Sequence, residues 1–336
     1  MRIITMRRIR IGVLGPSEIA FRRTVPAIIN SNSAEFAGIA HASLEEYPTQ
    51  SASHAAKCDK FAEAYGGMIY DSFGSMIEDD SIDAVYIPLP PDAHGRWARA
   101  AMAAGKHVML EKPSTTSAKE TEELAGIAAD SGLALHENYA YAYHRQIVVL
   151  EDIASSGRIG ELRLIRATFS FPYRGADDFR YHADRGGGAI IDCGGYPVNL
   201  ASRFLGESAH VTSSVMGTSR GHDVDTYGAA MLEGESGLTA QISWGMDNAY
   251  RCSIELCGST GMAATERVFT PPAEMEPVIT IRDNSGIEEI VVSADDQFAR
   301  SVDYFCDCIA DPDLRARRYD EIIRQARLVQ EIIDNK

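Results

Sequence analysis

Metal-binding cysteine spacing is missing from this chain. Its six cysteines (Cys58, Cys193, Cys252, Cys257, Cys306 and Cys308) form no Cys-x-x-Cys pair, and its nine histidines are scattered without ligand spacing. No metal site is expected, and free thiols suit a reducing cytosol. Basic residues are outnumbered, 32 Lys and Arg against 48 Asp and Glu, for a formal net charge of −16. Nucleic acid and anionic membrane surfaces therefore find no basic face, although arginines gathered locally can still hold an anionic ligand. No apolar run approaches the roughly 20 residues of a membrane span. Residues Met1 to Arg8 carry charge but no signal-peptide core, which points to a cytoplasmic protein, and Met6 offers an alternative start. Internal repeats and low-complexity stretches are absent as well.

What is there is material for about two domains: 336 residues, 45% apolar and 24% charged. The first part opens with an apolar strand, Ile9 to Leu14, then Gly15-Pro16-Ser17-Glu18-Ile19-Ala20 and a helical stretch to about Asn30. A strand, a glycine turn and a helix N-terminus together form the place where backbone amides and the helix dipole hold a pyrophosphate. Gly15 and Ala20 take the first and third positions of G-x-G-x-x-G/A, and Ser17 replaces the second glycine, crowding a diphosphate while offering it a hydroxyl. Further strands at Glu35 to Ala40, Met68 to Tyr70, Ala84 to Ile87, Val108 to Leu110 and Leu133 to Glu137 alternate with helices. A parallel sheet covered on both faces is expected.

Past the second strand a carboxylate would bind the ribose of NAD, and an arginine would favour NADP. His41-Ala42-Ser43 supplies neither, and with no carboxylate at the ribose the reading leans to NADP(H). The fourth strand runs into Pro88-Leu89-Pro90-Pro91-Asp92-Ala93-His94, a rigid turn poor in amide protons and suited to lie against a flat cofactor ring. The fifth stops at Glu111-Lys112-Pro113. Ligands of open parallel sheets sit beyond the carboxyl ends of the strands, so Lys112 is placed to reach one.

From about Gly160 alternating runs follow at Leu162 to Ser170, His210 to Thr218, Tyr227 to Leu232, Leu238 to Trp244, Ser253 to Leu256, Val278 to Arg282 and Glu288 to Val292. With one helix among them they predict a largely antiparallel sheet. That helix, about Gly186 to Leu205, is expected to cover the sheet, and two more, near Asp296 to Ile309 and Tyr319 to Asp334, end the chain. Within it Asp192, Tyr196, Asn199 and Arg203 stand at i, i+4, i+7 and i+11, one polar stripe facing either solvent or a wet cleft. Gly194 and Gly195 each weaken a helix by about 1 kcal/mol relative to alanine, which favours a backbone that approaches something closely.

Taken together, Gly15 to Ala20, Pro90 with His94, Glu111-Lys112-Pro113, Phe179-Arg180, and Gly186-Gly187-Gly188 through Asp192 to Tyr196 resemble the glucose–fructose oxidoreductase/inositol dehydrogenase (Gfo/Idh/MocA) family along nearly the whole chain. The resemblance implies an α/β protein with a Rossmann dinucleotide-binding domain, residues 1–138, onto which the C-terminal helices can pack back. An α+β domain with a large, mostly antiparallel open sheet, residues 139–336, would bind substrate and form a homodimer or homotetramer. It implies hydride transfer between NAD(P) and a sugar, cyclitol or related carbonyl compound. Tyr196 stands where many members have histidine, Ala142 where arginine is frequent, and Ser17 where glycine is usual.

The cofactor set is then Gly15, Pro16, Ser17, Glu18, Ile19, His41, Ser43, Leu89, Pro90, His94, Glu111 and Lys112. Reducing a carbonyl also needs a proton. A free phenol, with a pKa of about 10, exchanges protons poorly at neutrality. A Lys112 ammonium beside it would lower that value, so Tyr196 is assigned as general acid/base and Lys112 as its electrostatic partner. Asp192, Arg180 and Asn199 would hold a polyhydroxylated substrate, with His144 at the rim. Arg145, Arg180, Arg185 and Arg203 lean towards an anionic substrate such as a nucleotide-linked sugar. A dinucleotide-binding regulator without catalysis, and an oxidoreductase of non-sugar substrates such as a dihydrodiol, are the competing readings.

Overall fold

Short apolar runs closed by glycine or proline become the strands of two sheets. A computed structural model describes residues 7–46, 51–219 and 221–335; Met6 lies outside them. Two units separate. One gathers the described residues up to Thr115 with Lys119–Asn138 and Phe298–Ile323, and the other gathers Thr116–Ala118, Tyr139–Gln297 and the described residues from Arg324 on.

In the first unit the chain runs β1 (Ile9–Leu14), α1 (Val25–Asn30), β2 (Ala34–Ala40), α2 (Ser51–Tyr65), β3 (Met68–Tyr70), α3 (Phe73–Ile77), β4 (Ala84–Ile87), α4 (Pro91–Ala103), β5 (His107–Leu110), α5 (Ala118–Ser131) and β6 (Leu135–Glu137). The sheet order is β3-β2-β1-β4-β5-β6, with every neighbouring pair parallel. β1 has β2 on one side and β4 on the other, so the winding reverses there and a crevice opens at the carboxyl ends of β1 and β4. Strands covered on both faces must be apolar on both. Leu14, Val85, Ile87 and Val108 accordingly pack with Trp97 and Leu124 in one cluster, and Ile11, Val13, Tyr86 and Met109 face another. The expected parallel sheet is present. The short α3, which the sequence reading did not place, is secured by Ser72, whose side chain accepts from the Ser75 amide.

The second unit contains α6 (Arg145–Ser155), β7 (Leu162–Ser170), α7 (Gly195–Leu205), β8 (His210–Gly217), β9 (Tyr227–Glu233), β10 (Thr239–Gly245), β11 (Arg251–Gly258), β12 (Gly261–Glu266), β13 (Val278–Asp283) and β14 (Gly286–Val291). Its sheet order is β14-β13-β12-β11-β7-β10-β9-β8, antiparallel except that β7 and β10 run together. Ile165, Ala167, Phe169, Ala240, Ile242, Trp244, Ile254 and Leu256 form the covered face with α6 and α7 residues. On the other face Arg166 donates to Gln241 at 3.1 Å and Glu255 at 3.4 Å, a polar strip across three strands. α6 and β12 lie where no element was expected.

The chain closes with α8 (Gln297–Ala310) and α9 (Pro312–Asp334). Val302, Phe305 and Cys306 of α8 complete the cluster of Ile11 and Tyr86, and Tyr319 and Ile322 of α9 complete that of Leu14. Phe305 is fully buried. Phe305→Ala should therefore cost about 3–5 kcal/mol, read by urea denaturation, although Phe305 lies about 170 residues beyond β6 in sequence. A cost below about 1 kcal/mol would remove α8 from that core.

Candidate active site

The first unit supplies a cradle for a dinucleotide. β1 ends at Leu14, and Gly15 turns the chain with φ +104°, where a side chain would be strained; an added Cβ would also sit 2.7 Å from the Leu89 side chain. Pro16 follows, and Ser17 Oγ accepts from the Ala20 amide at 3.1 Å, leaving its own O–H to donate. Among the described residues, no acceptor answers the Glu18 and Ile19 amides of the first helical turn. The turn then widens into a π-helical segment, Ala20–Thr24, before α1. These features fit a pyrophosphate. Among the described residues no group of three His, Cys, Asp or Glu is placed to hold a metal ion.

The remaining cofactor candidates sort by their partners. His41 Nδ1 lies 3.1 Å from the Ala42 carbonyl oxygen, and Ser43 Oγ accepts from the Glu46 amide. Glu46 is a carboxylate near the ribose position that the sequence reading did not place. It accepts from the amides of Ser43 (2.8 Å), Phe73 (3.2 Å) and Gly74 (3.1 Å), so its oxygens are largely spent on the main chain. His94 is fully buried, with Nδ1 2.8 Å from the Pro113 carbonyl and Nε2 2.8 Å from that of Leu89. It ties the turn holding Leu89 and Pro90 to the Glu111-Lys112-Pro113 corner instead of presenting a nitrogen to a ligand, and burial lowers its pKa.

Glu111 ends a directed chain of hydrogen bonds. Ser301 Oγ donates to Asn138 Oδ1 (2.8 Å), so it must accept from His136 Nε2–H (2.9 Å); Asn138 Nδ2 then donates to Glu111 Oε1 at 2.7 Å. From the other side Tyr86 Oη donates to the same oxygen at 2.6 Å and accepts from Thr24 Oγ1 at 3.2 Å. Burial, followed by the Arg318 charge, keeps His136 neutral. Burial pushes the Glu111 carboxyl above its usual range, and Tyr86, Asn138 and the Lys112 charge pull it partly back. Lys112 itself is half-buried.

In the second unit Gly186 and Gly188 have positive φ and lie in a loop, so the helix begins at Ala189, later than expected. Asp225 starts it by accepting from the Ile190 amide at 2.9 Å. A second π-helical segment, Ile190–Gly194, carries Asp192 and leads into α7. Arg180 Nε donates to Asp192 Oδ2 at 2.8 Å and its Nη1 to Asp178 Oδ1 at 3.1 Å. Burial opposes that guanidinium charge, but Asp192 and Asp178 more than offset it and hold its pKa high. The Tyr196 ring is set among Tyr139, Phe169, Phe269 and Tyr141, at centroid distances of 5.1, 5.0, 5.6 and 5.8 Å. Asn199 Oδ1 accepts from Tyr141 Oη at 2.7 Å.

Three expectations shift here. Arg203 pairs with Glu151 at 2.7 Å, so the polar stripe ends in a surface ion pair and not in a cleft. His144 is fully buried: Nδ1 caps α6 by accepting from the Gln146 amide at 3.1 Å, and the ring also interacts with the Asp295 backbone. It is not a rim residue. The close approach behind the paired glycines is internal, since a Cβ on Gly195 would fall 2.1 Å from the Tyr139 hydroxyl and one on Gly194 3.0 Å from the Trp244 ring.

A parallel sheet with a glycine turn at its switch point, plus a polar helix in a second α/β unit, defines a dinucleotide-dependent oxidoreductase. Residues 9–139 match the oxidoreductase family with an NAD-binding Rossmann fold, and residues 147–264 match the GFO/IDH/MocA C-terminal domain. The chain is 37% identical to the dTDP-3,4-didehydro-2,6-dideoxy-alpha-D-glucose 3-reductase of Actinomadura kijaniata, over 96% of this chain and 94% of that one. It is 30% identical to D-xylose 1-dehydrogenase (NADP(+)) 2 of Haloferax volcanii, over 88% and 87%. The crystal structure of KijD10, a 3-ketoreductase from Actinomadura kijaniata in complex with NADP and TDP-benzene, superposes with a TM-score of 0.90 at 36% identity, covering 98% of both chains. The chain belongs to the Gfo/Idh/MocA family and is an NAD(P)-dependent oxidoreductase acting on CH–OH or C=O groups.

Because the folded Glu111 pKa is raised, the folded chain holds that proton more tightly than the unfolded chain. This favours folding near the ordinary value of 4.5, and the advantage is lost as pH rises through the folded value. Tyr86→Phe removes a donor to the carboxylate and raises that pKa further. It should cost about 1–3 kcal/mol, with a larger loss of Tm at pH 7 than near pH 4.5. Equal losses at both pH values would uncouple Tyr86 from Glu111.

Proposed function

We propose that the chain reduces a keto group on a nucleotide-linked sugar with NADPH. The observation that carries this is the likeness to a dTDP-keto-sugar 3-reductase over 96% of the chain, in a chain that also has Lys112 at its strand end and Tyr196 on its polar helix. NADP(H) is favoured because no carboxylate is left open at the ribose to repel its 2′-phosphate, Glu46 being held by three amides. Gly15, Pro16, Ser17, Glu18 and Ile19 cradle the pyrophosphate, Leu89 and Pro90 lie along the cofactor, and His94 fixes their turn.

When bound, the nicotinamide supplies the hydride. The oxygen of the reduced carbonyl then needs a proton, and Tyr196 delivers it from its hydroxyl. Lys112 stabilises the developing alkoxide and the phenolate left behind. Asp192, with Arg180 fixing its orientation, accepts from substrate hydroxyls, and Asn199 completes the polar lining. The open, polar face of the eight-stranded sheet joins copies of the chain into a dimer or tetramer, and the protein works in the cytoplasm.

Tyr196→Phe keeps the ring and its aromatic neighbours, so Tm and NADPH affinity should hold while turnover on a dTDP-keto sugar falls by about 10²–10⁴-fold. Lys112→Ala should lose turnover too and move the pH dependence upward, with the double variant little worse than either single. Near-normal turnover in Tyr196→Phe would remove Tyr196 from the proton transfer. A parent protein that binds neither NADP(H) nor NAD(H) would end the oxidoreductase reading. Light scattering showing a stable monomer would end the oligomer.

A further inference from the structure

Three rings in the second unit pack together outside the set of residues assigned to the reduction. His222 stacks on Tyr181, with centroids 4.7 Å apart and planes at 29°, and Tyr173 leans on Tyr181 at 4.8 Å and on His222 at 5.8 Å. Tyr181 is the fixed member: it is buried, its hydroxyl donates to the Met246 carbonyl at 2.5 Å, and it accepts from the Arg174 amide at 3.2 Å. Tyr173 is 44% exposed. A single exposed tyrosine needs no explanation. An exposed ring braced on two others, one of them anchored in the core, is a rigid flat surface.

Its position within the unit is informative. Tyr173 and Tyr181 belong to the segment after β7, and His222 to the loop between β8 and β9. Ser170 lies opposite Gly245, and Gly245 opposite Tyr227, so both segments leave the same end of the sheet. Arg180, the neighbour of Tyr181, holds Asp192 at 2.8 Å. Arg174, the neighbour of Tyr173, lies over the Phe171 ring at 4.5 Å and has no carboxylate partner among the described residues.

We propose that Tyr173, braced by His222 and Tyr181, is the stacking surface for the base of a nucleotide-linked substrate, with Arg174 meeting its diphosphate. This rests on the keto-sugar reading, whose reacting end lies at Asp192 and Tyr196. Stacking takes any flat base, so the platform gives affinity for the nucleotide, and choice of sugar stays with the polar helix.

Binding of dTDP is measured by calorimetry with saturating NADP(H), so that the dinucleotide site is already filled. The parent should bind dTDP, Tyr173→Ala should weaken it by about tenfold, and Tyr173→Phe should retain it. Arg174→Gln should weaken dTDP more than thymidine. NADP(H) affinity and Tm should stay constant in all three, since Tyr173 is exposed. Equal dTDP affinity in the parent and Tyr173→Ala overturns the platform, as does loss of all dTDP binding once NADP(H) is present. The oxidoreductase reading fails separately, through absent NADPH oxidation with every keto sugar, linked or free.

Discussion

A carboxylate withdrawn from water at the end of a central strand has to be answered by donors, and most of the first unit's carboxyl-terminal edge is arranged around that need. Glu111 takes Tyr86 from β4 and Asn138 from just past β6, and these are held in turn by Thr24 in the first π-helical segment and by Ser301 in α8. Five segments scattered from residue 24 to residue 301 are tied together through one half-buried acid. The donors all point inward, and the orientation of each is set by the next, so no hydroxyl or amide can turn without leaving another unsatisfied. Lys112 follows Glu111 directly, and its backbone is held on both sides: by Glu111, and by His94 through the Pro113 carbonyl. The lysine's backbone is therefore anchored in that corner.

The helices that serve the two halves share a second device. Each begins with a π-helical segment and carries a proline soon after: Ala20–Thr24 before Pro26, and Ile190–Gly194 before Pro197. Proline removes an amide and crowds the carbonyl four residues earlier, which an unbroken α-helix tolerates badly. A wider turn just upstream gives that carbonyl room. In the first unit the widened turn aims Thr24 at Tyr86; in the second it carries Asp192 to Arg180. The prolines look like helix breakers in the sequence, yet they sit where the helix has already changed its pitch.

Elements made by local pattern were legible. Met68–Tyr70, Ala84–Ile87 and Leu162–Ser170 are apolar or alternating runs between turn residues, and Ser51–Tyr65 is a helix bounded by glycine. What escaped depends on distant partners. β12 is Gly-Met-Ala-Ala-Thr-Glu, too small and mixed to read as a strand until it lies between β11 and β13. Glu46 is an ordinary loop acid until Phe73 and Gly74 bring their amides to it. Ser301 and Asn138 carry no motif, and their importance comes from a contact spanning 163 residues. The polar stripe of the second helix was seen as a stripe, but helix arithmetic could not tell that Asp192 is buried while Arg203 meets Glu151 at the surface.

Charge raises a last question. A chain with a net charge of −16 is proposed to take two anions, a phosphorylated dinucleotide and a nucleotide-linked sugar. At physiological salt the screening length is about 8 Å, so the overall charge is felt only weakly at the moment of contact. Affinity must then come from groups within that distance, and these are mostly not formal charges. The Glu18 and Ile19 amides and the Ser17 hydroxyl are dipoles fixed by the turn at Gly15, and they cost no reorganisation when an anion arrives. In the second unit the Arg180 charge is already matched by Asp178 and Asp192, and the pair with Asp192 braces that carboxylate. That leaves Arg174 as the guanidinium beside the aromatic platform whose charge is unspent. Acidity over the whole surface and anion binding at the sites are compatible because they act over different distances.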